Sequence, residues 1–323
     1  MLVTPTPSPL PRLSLALVCG VAACSSHGGT RSPDTGVADA GADMGSAADA
    51  GLDVWTARAP LADGVWVRVR NGCSFPLFIH GAGNGAVLQP DDAELAVGAT
   101  RDYEAPRDWS AARVTAYVDG PRMGELDKVE ATFQPSGDLA TLNFNITYVD
   151  WVGLPMRMEA VGGECNASHQ VECAVPHASL LDGCPAQLRE SDRCQSARSH
   201  CLNPTNQASE YCHALDGAIA DCAANVAGCG AFAAATTPEA YACSGPLSNE
   251  PRLCAALNRG MLSAPDSADT SAFYMTDPYN TYAAWVHAVC PGIYAFSYDD
   301  WLSQGGFRAC RGSELRITFC PRG

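Results

Sequence analysis

Two adjacent carboxylates, Asp299 and Asp300, end the aromatic zigzag "YAFSYDDW" that runs from Tyr294 to Trp301. Read as a strand, this stretch sends neighbouring side chains to opposite faces. The doublet therefore cannot serve one centre together. Either one aspartate takes part in chemistry, or both are the polar end of a half-buried strand. Sixteen cysteines and seven histidines are the other reactive groups. They form no compact Cys-x-x-Cys pairs of the kind zinc requires, so the thiols read as disulfides and no metal is expected. There is no Gly-x-Ser-x-Gly elbow, phosphate loop or dinucleotide fingerprint, and no cofactor is expected.

Cysteine density of this order belongs to oxidising compartments, and the N-terminus agrees. Arg12 precedes "LSLALVCGVAA" (13–23), an apolar run too short to span a bilayer. The run ends in "VAAC", which resembles a bacterial lipobox and would make Cys24 the lipidated residue; the alternative is ordinary cleavage after Ala23. Parity favours the lipobox. Sixteen cysteines less Cys19 leave an odd number, and giving Cys24 to a lipid leaves fourteen, enough for seven disulfides. Residues 1–23 are expected to be a lipoprotein-type signal peptide, and 24–62, rich in Ala, Gly, Asp and Ser, a disordered tether. The expected location is therefore outside the cytoplasm, as a cell-envelope lipoprotein of the bacterial outer membrane or as a secreted protein.

Loss of Arg12 lowers Lys+Arg from 20 to 19 against 35 Asp+Glu, so the net charge moves from −15 to −16. Nucleic acid, whose phosphates demand a basic surface, is excluded as a partner. No basic patch for anionic lipids is evident either, which leaves the lipid at Cys24 as the expected membrane attachment.

The elements that must position the reactive groups fall into three stretches. From Val65 to Glu159 period-2 patterns dominate, as in "VWVRVRNGCSFPLFIHG", "ARVTAYVDG" and "KVEATFQPSGDLATLNFNITYVDWVGLPMRME". They predict antiparallel strands in a sandwich. From Cys165 to Cys290 lie most of the cysteines and two helical signatures. "NQASEYCHALDGAIADCAANV" puts Leu215, Ile219 and Cys222 on one face, and "YNTYAAWVHAVC" does so with Tyr282, Trp285, Val286 and Val289. The last stretch returns to alternation, with Leu315, Ile317 and Phe319 on one face. The predicted fold is mainly β: a sandwich over 63–164 and 291–323, interrupted by a disulfide-rich helical and loop domain over 165–290.

"VRVRNGCSFPLFIHG" resembles the opening strand of thaumatin-like proteins, with its Asn-x-Cys-Ser. "GLPMRME" and the spacing of Cys165, Cys173, Cys184 in "GCPAQL", Cys194, Cys201 and Cys212 in "SEYC" resemble their second domain, and "RITFCP" their closing strand. The resemblance implies a thaumatin-like sandwich with an inserted domain and the pairs Cys73–Cys320, Cys165–Cys310, Cys173–Cys290, Cys184–Cys194 and Cys201–Cys212. Of three pairings open to the remaining cysteines, neighbours are preferred: Cys222–Cys229 and Cys243–Cys254. The chain departs from that family in His213, in a missing cysteine-rich hairpin and in a long insertion between Cys212 and Tyr279. There, "LCAALNRGML", "FYMTDPYNTYAAWVH" and "YAFSYDD" resemble glycoside hydrolase family sixty-four, the β-1,3-glucanases. "KVEATF" and "NITYVDWVGLPM" resemble the same family. The two families share a related sandwich, so one fold accommodates both resemblances.

The glucanase resemblance implies roles. Glu130 matches the general acid and Asp150 the general base of an inverting reaction, in which a gap of about 6.5–9.5 Å holds the water. The "PSGD" turn between their strands predicts a hairpin that brings both to one cleft. Arg113 matches the cleft arginine of thaumatin-like proteins, and Asn145 stands where the glucanases have Asn. Trp151, Tyr294 and Tyr298 are candidate rings for sugar stacking. Asp299 is expected to face the sugar opposite Glu130 and Asp150, with Asp300 beside it securing the turn before "WLSQGG". His287 reads as a packed, hydrogen-bonded residue. Three functions fit: a monomeric endo-β-1,3-glucanase, a glucan-binding protein without turnover, or a disulfide-braced surface protein of structural or interaction role.

Overall fold

The computed structural model describes residues 55–214, 216–301 and 306–322, and the compact unit Ala57–Gly323 carries the fold. The expected signal peptide, Cys24, most of the tether, Leu215 and positions 302–305 of "WLSQGG" lie outside the described residues.

The period-2 stretches form strands β1 (Gly64–Asn71), β2 (Leu77–Gly83), β3 (Ala86–Val87), β4 (Ala93–Leu95), β5 (Thr100–Pro106), β6 (Ala112–Gly120), β7 (Met123–Ser136), β8 (Leu139–Thr147), β9 (Trp151–Val152) and β10 (Met156–Val161). The insertion adds β11 (Gln170–Glu172) and β12 (Cys194–Gln195), and the C-terminus supplies β13 (Arg308–Gly312) and β14 (Glu314–Phe319). One sheet has the order β11–β10–β14–β1–β5, with β1 and β14 parallel and the other neighbours antiparallel. The larger sheet runs β13–β8–β7–β6–β2–β3, and β4 also pairs with β2. β9 and β12 form a separate antiparallel pair.

Alternation dictates which faces meet. Val65, Val67 and Val69 of β1, Leu315, Ile317 and Phe319 of β14, Val129 and Phe133 of β7, and Leu142, Phe144 and Ile146 of β8 share one buried core. Full burial of each such side chain contributes about 1.5–3 kcal/mol. The β7–β8 hairpin turns at Gly137, whose φ of +63° suits glycine.

Helices α1 (Ala197–Leu202), α2 (Glu210–His213), α3 (Asp216–Asn225), α4 (Thr237–Ala242), α5 (Pro251–Arg259) and α6 (Thr281–Val289) belong to the insertion. The first helical signature is thus two short helices rather than one. Ser209 caps α2 by accepting from the Cys212 amide, and the Cys201–Cys212 bond ties it to α1. In the second, Tyr282 and Val286 are buried, while Trp285 and Val289 pack half-buried against the sandwich core. A smaller core of its own, including Ile219, Phe232, Tyr241, Leu253 and Leu257, fills the insertion. Among the described residues no helix is long and apolar enough to cross a membrane.

Seven disulfides brace this arrangement: Cys73–Cys320, Cys165–Cys310, Cys173–Cys290, Cys184–Cys194, Cys201–Cys212, Cys222–Cys229 and Cys243–Cys254. Three close separations of 247, 145 and 117 residues, each stabilising by about 5 kcal/mol in the chain-entropy model. The other four close separations of 7 to 11 residues; Cys201–Cys212 and Cys222–Cys229 belong to the smaller core, whereas Cys194, Cys243 and Cys254 belong to the larger one.

Candidate active site

Because Val129, Ala131 and Phe133 of β7 point into the core, Lys128, Glu130 and Thr132 stand on the outer face of the larger sheet. Register then selects their neighbours. Glu130 lies opposite Arg113 of β6 on one side and Asn145 of β8 on the other. Arg113 Nε donates to Glu130 Oε1 at 3.1 Å, with side chains 62% and 35% exposed. A pair this open to water is a weak clamp, and it leaves Glu130 accessible. Asn145 Oδ1 is buried and finds no hydrogen-bond partner among the described residues.

Lys128 stands two residues along β7 on the same face, its backbone about 6.5–7 Å from that of Glu130 by strand rise, and its Nζ forms an ion pair with Asp150 Oδ2. Arg198 of α1 donates from Nη1 to Asp150 Oδ1 at 3.1 Å. The backbone of this residue is held as well: Ser196 N donates to the Asp150 backbone carbonyl at 2.8 Å, immediately beyond the β9–β12 pair. Asp150 therefore stands where the insertion meets the sheet. An ionised carboxylate offers about four lone-pair sites, so the two cations leave acceptor capacity for a water. Glu130 and the Lys128 that binds Asp150 share the outer side of the sheet, Glu130 held by one exposed cation and Asp150 by two cations.

The opposite wall differs from expectation. Residues 295–300 form a turn rather than a strand. Only Tyr294 joins a ladder, bridging Thr147 in parallel. Its N–H donates to Ile146 O at 3.2 Å, and its carbonyl accepts from Tyr148 N at 2.7 Å. Tyr298 takes φ +64°, a left-handed conformation that costs a non-glycine residue about 1–2 kcal/mol. The aspartates depart from the roles assigned to them from alternation. Asp299, expected to face sugar, is 0% exposed. Its Oδ2 accepts from His287 Nε2 at 2.7 Å and Ala295 N at 2.9 Å, and its Oδ1 from Arg259 Nη2 at 3.4 Å. Asp299, not Asp300, secures the turn, because it is the aspartate that meets the Ala295 amide, the His287 imidazole and the Arg259 guanidinium. Asp300 is exposed. The Tyr294 phenol is held well above its usual range by burial first, then by the charge of Asp300 and a hydrogen bond to it, with Asp299 and Glu130 adding to the effect. That ring consequently lies within the field of both Glu130 and Asp300.

Two expected stacking platforms are already engaged. The Trp151 ring has Lys128 Nζ and Arg193 Cζ each 5.2 Å from its centroid, so a sugar would have to displace cations from it. The Tyr298 hydroxyl donates to Ser248 O, which ties the turn to the insertion. His287 is packed as the sequence suggested, with Nδ1 2.7 Å from the Tyr274 hydroxyl. Lys128, Arg198 and Arg259 were missed. Lys128 was legible, since "KVE" puts it on the face of Glu130. Arg198 and Arg259 are brought in by contacts 48 and 40 residues apart, for which the chain carries no local signal.

Two clusters among the described residues have metal-ligating groups close together. Cys165, His169 and Cys310 form one, but its cysteines are joined to each other. His80, Asp91 and Asp92 form the other, where Arg122 already binds both carboxylates at 2.9 and 2.8 Å.

Comparison with known proteins bears on this geometry. Residues 216–310 match a family model described as beta-1,3-glucanase, glycoside hydrolase family 64. The fold is that of solved β-1,3-glucanases. A β-1,3-glucanase domain from Clostridium beijerinckii superposes with TM-score 0.60 at 16% identity, covering 81% of this chain and 100% of that one. A laminaripentaose-producing β-1,3-glucanase in complex with laminaritetraose gives 0.59 at 16% identity, over 80% of this chain and 99% of that one. The enzyme from Paenibacillus barengoltzii complexed with laminarihexaose gives 0.54 at 18% identity, over 80% and 75%. No curated protein sequence matches the chain. The matched segment carries Arg259, His287, Tyr294 and the aspartate doublet, the whole of the turn wall.

Proposed function

We propose that the protein hydrolyses β-1,3-glucan with inversion, Glu130 protonating the leaving oxygen and Asp150 activating the water. The observation that carries this reading is the placement of Glu130 and the Lys128–Asp150 pair on one outer sheet face, on the fold of solved β-1,3-glucanases. Glu130 is half-exposed and held only by Arg113, so a glycosidic oxygen can reach it. Asp150 keeps its charge balanced by Lys128 and Arg198 and retains acceptor sites for a water. Asn145 lies opposite Glu130 across the β7–β8 pair, as the neighbouring polar side chain at the proposed site. Tyr294 and Asp300 form the facing wall as substrate-binding groups.

Binding without turnover is the second reading, favoured by the cations that already occupy both Asp150 oxygens. Laminarin hydrolysis by the wild type, Glu130→Gln and Asp150→Asn separates the two. Product from the wild type and loss in both variants supports hydrolysis; calorimetric binding of a laminari-oligosaccharide without product supports the second reading. Equal activity in all three removes the catalytic assignment. The disulfide frame supports the finer kinship with thaumatin-like proteins. The reading also places a monomer outside the cytoplasm, anchored by a lipid on Cys24; labelling with a radioactive fatty acid, abolished by Cys24→Ser, tests that anchor.

A further inference from the structure

We infer that Asp299, His287 and Arg259 are positioning residues of this site, fixing the turn that presents Tyr294 and Asp300 to Glu130. The inference rests on the glucan-cleft reading above. Its starting point is a carboxylate with no exposure at all, in a chain whose acidic surplus could be placed on the surface. Taking a carboxylate out of water is unfavourable unless donors replace the water, and three donors from three elements do so here. His287 comes from α6, Arg259 from the end of α5, and the Ala295 amide from the turn itself.

The geometry shows what the donors accomplish. Oδ2 of Asp299 takes both the imidazole N–H and the Ala295 amide, closing the turn from residue 295 to residue 299. Arg259, 2% exposed, holds the far end by donating to Asp299 O at 2.9 Å and Trp301 O at 3.1 Å. Its guanidinium is kept in plane over Phe273 and Phe296, at 4.8 and 5.5 Å from their centroids. With both ends held, the intervening Tyr298 is carried into φ +64°. Asp300 is left pointing outward, while Tyr294, next to the anchored Ala295, is set against the end of β8. The imidazole is itself oriented. Its two nitrogens are both engaged, Nε2 at 2.7 Å from Asp299 Oδ2 and Nδ1 at 2.7 Å from the Tyr274 hydroxyl. Gly260 makes this arrangement of α5 possible. Its φ is +70°, and a Cβ there would fall 2.5 Å from Thr276 O, in the segment that leads from Tyr274 to α6.

The test uses the full chain and four variants. His287→Ala and Asp299→Asn break the network; His287→Gln keeps a donor for Asp299 and an acceptor for Tyr274; Arg259→Met removes the grip on the far end. Amide hydrogen exchange is followed without substrate, and laminari-oligosaccharide kinetics well below the melting temperature of each variant. We expect residues 294–301 to exchange at least about tenfold faster in His287→Ala and Asp299→Asn, with β7 and β8 unchanged. KM should rise at least about tenfold with kcat within threefold, the pattern of lost substrate positioning, and His287→Gln should stay within threefold of wild type on both readouts. Arg259→Met should loosen the same segment. Unchanged exchange in 294–301, loosening spread over the whole sandwich, or a Gln variant as impaired as Ala would each overturn the inference. The exchange measurement decides it without reference to substrate. A wild type that neither binds nor cleaves the oligosaccharide would remove the proposed function instead.

Discussion

Glu130 owes its place to a strand register, whereas Asp300 owes its place to the carboxylate buried beneath it. On the sheet wall, β7 is hydrogen-bonded on both sides and Val129, Ala131 and Phe133 are sunk in the core, so the outward direction of Glu130 is set many times over. Its ion pair with Arg113 is incidental to that placement. On the turn wall no ladder passes residue 294, and a few charged groups in the interior replace it. A ladder tolerates the loss of any one side chain, while a buried polar network fails if one member is left unpaired.

The largest effect that sharpens this contrast is chemical. Glu130→Gln should lower kcat on laminarin by about 10²–10⁴-fold without moving the melting temperature measurably, since the strand holds the residue whatever its charge. A parallel fall in stability would mean that Glu130 also holds the sheet together. Next comes the insertion. Replacing Cys201 and Cys212 by Ser opens an 11-residue separation beside α1 and should cost about 3 kcal/mol, read as a lower midpoint in chemical denaturation. It should also loosen Arg198 from Asp150 while leaving Arg113 on Glu130.

A smaller effect distinguishes the walls by kinetics. Asp300→Asn should raise KM for a laminari-oligosaccharide by up to about tenfold with kcat nearly unchanged, as expected of a binding group. If it costs as much kcat as Glu130→Gln, the two walls do not differ in role. The same variant moves Tyr294. The negative charge of Asp300 opposes the phenolate, so its removal should lower the Tyr294 pKa, although burial, the largest cause, keeps it above the usual value. Because the folded-state pKa is raised, the stabilising effect of the neutral phenol is complete below the unfolded value near 10 and is lost as pH rises through the folded one. Phenolate absorbance in an alkaline titration reports the change. The smallest expected effect is Arg113→Met, which should alter stability by less than about 1 kcal/mol, measured by the same denaturation.

How far the site could be read in advance follows the same division. Period 2 in "KVEATF" and the "PSGD" turn determined that Glu130 faces outward on a hairpin, and the same alternation already placed Lys128 beside it. Local patterning also determined the inward faces of β1 and β14, because burial of every second residue is a property of the strand itself. In "YAFSYDDW" the alternation is present but the ladder is not, and an apolar–polar zigzag cannot say whether a partner strand exists. What decided Asp299 over Asp300 was the arrival of Arg259 and His287 from two helices, at separations of 40 and 12 residues. The clamp on Asp150 likewise needed Arg198 from the insertion. Strand faces are fixed by neighbours one and two positions away and so are written in the sequence. The pairing of charges is fixed by where separate elements pack, and only the tertiary structure settles it.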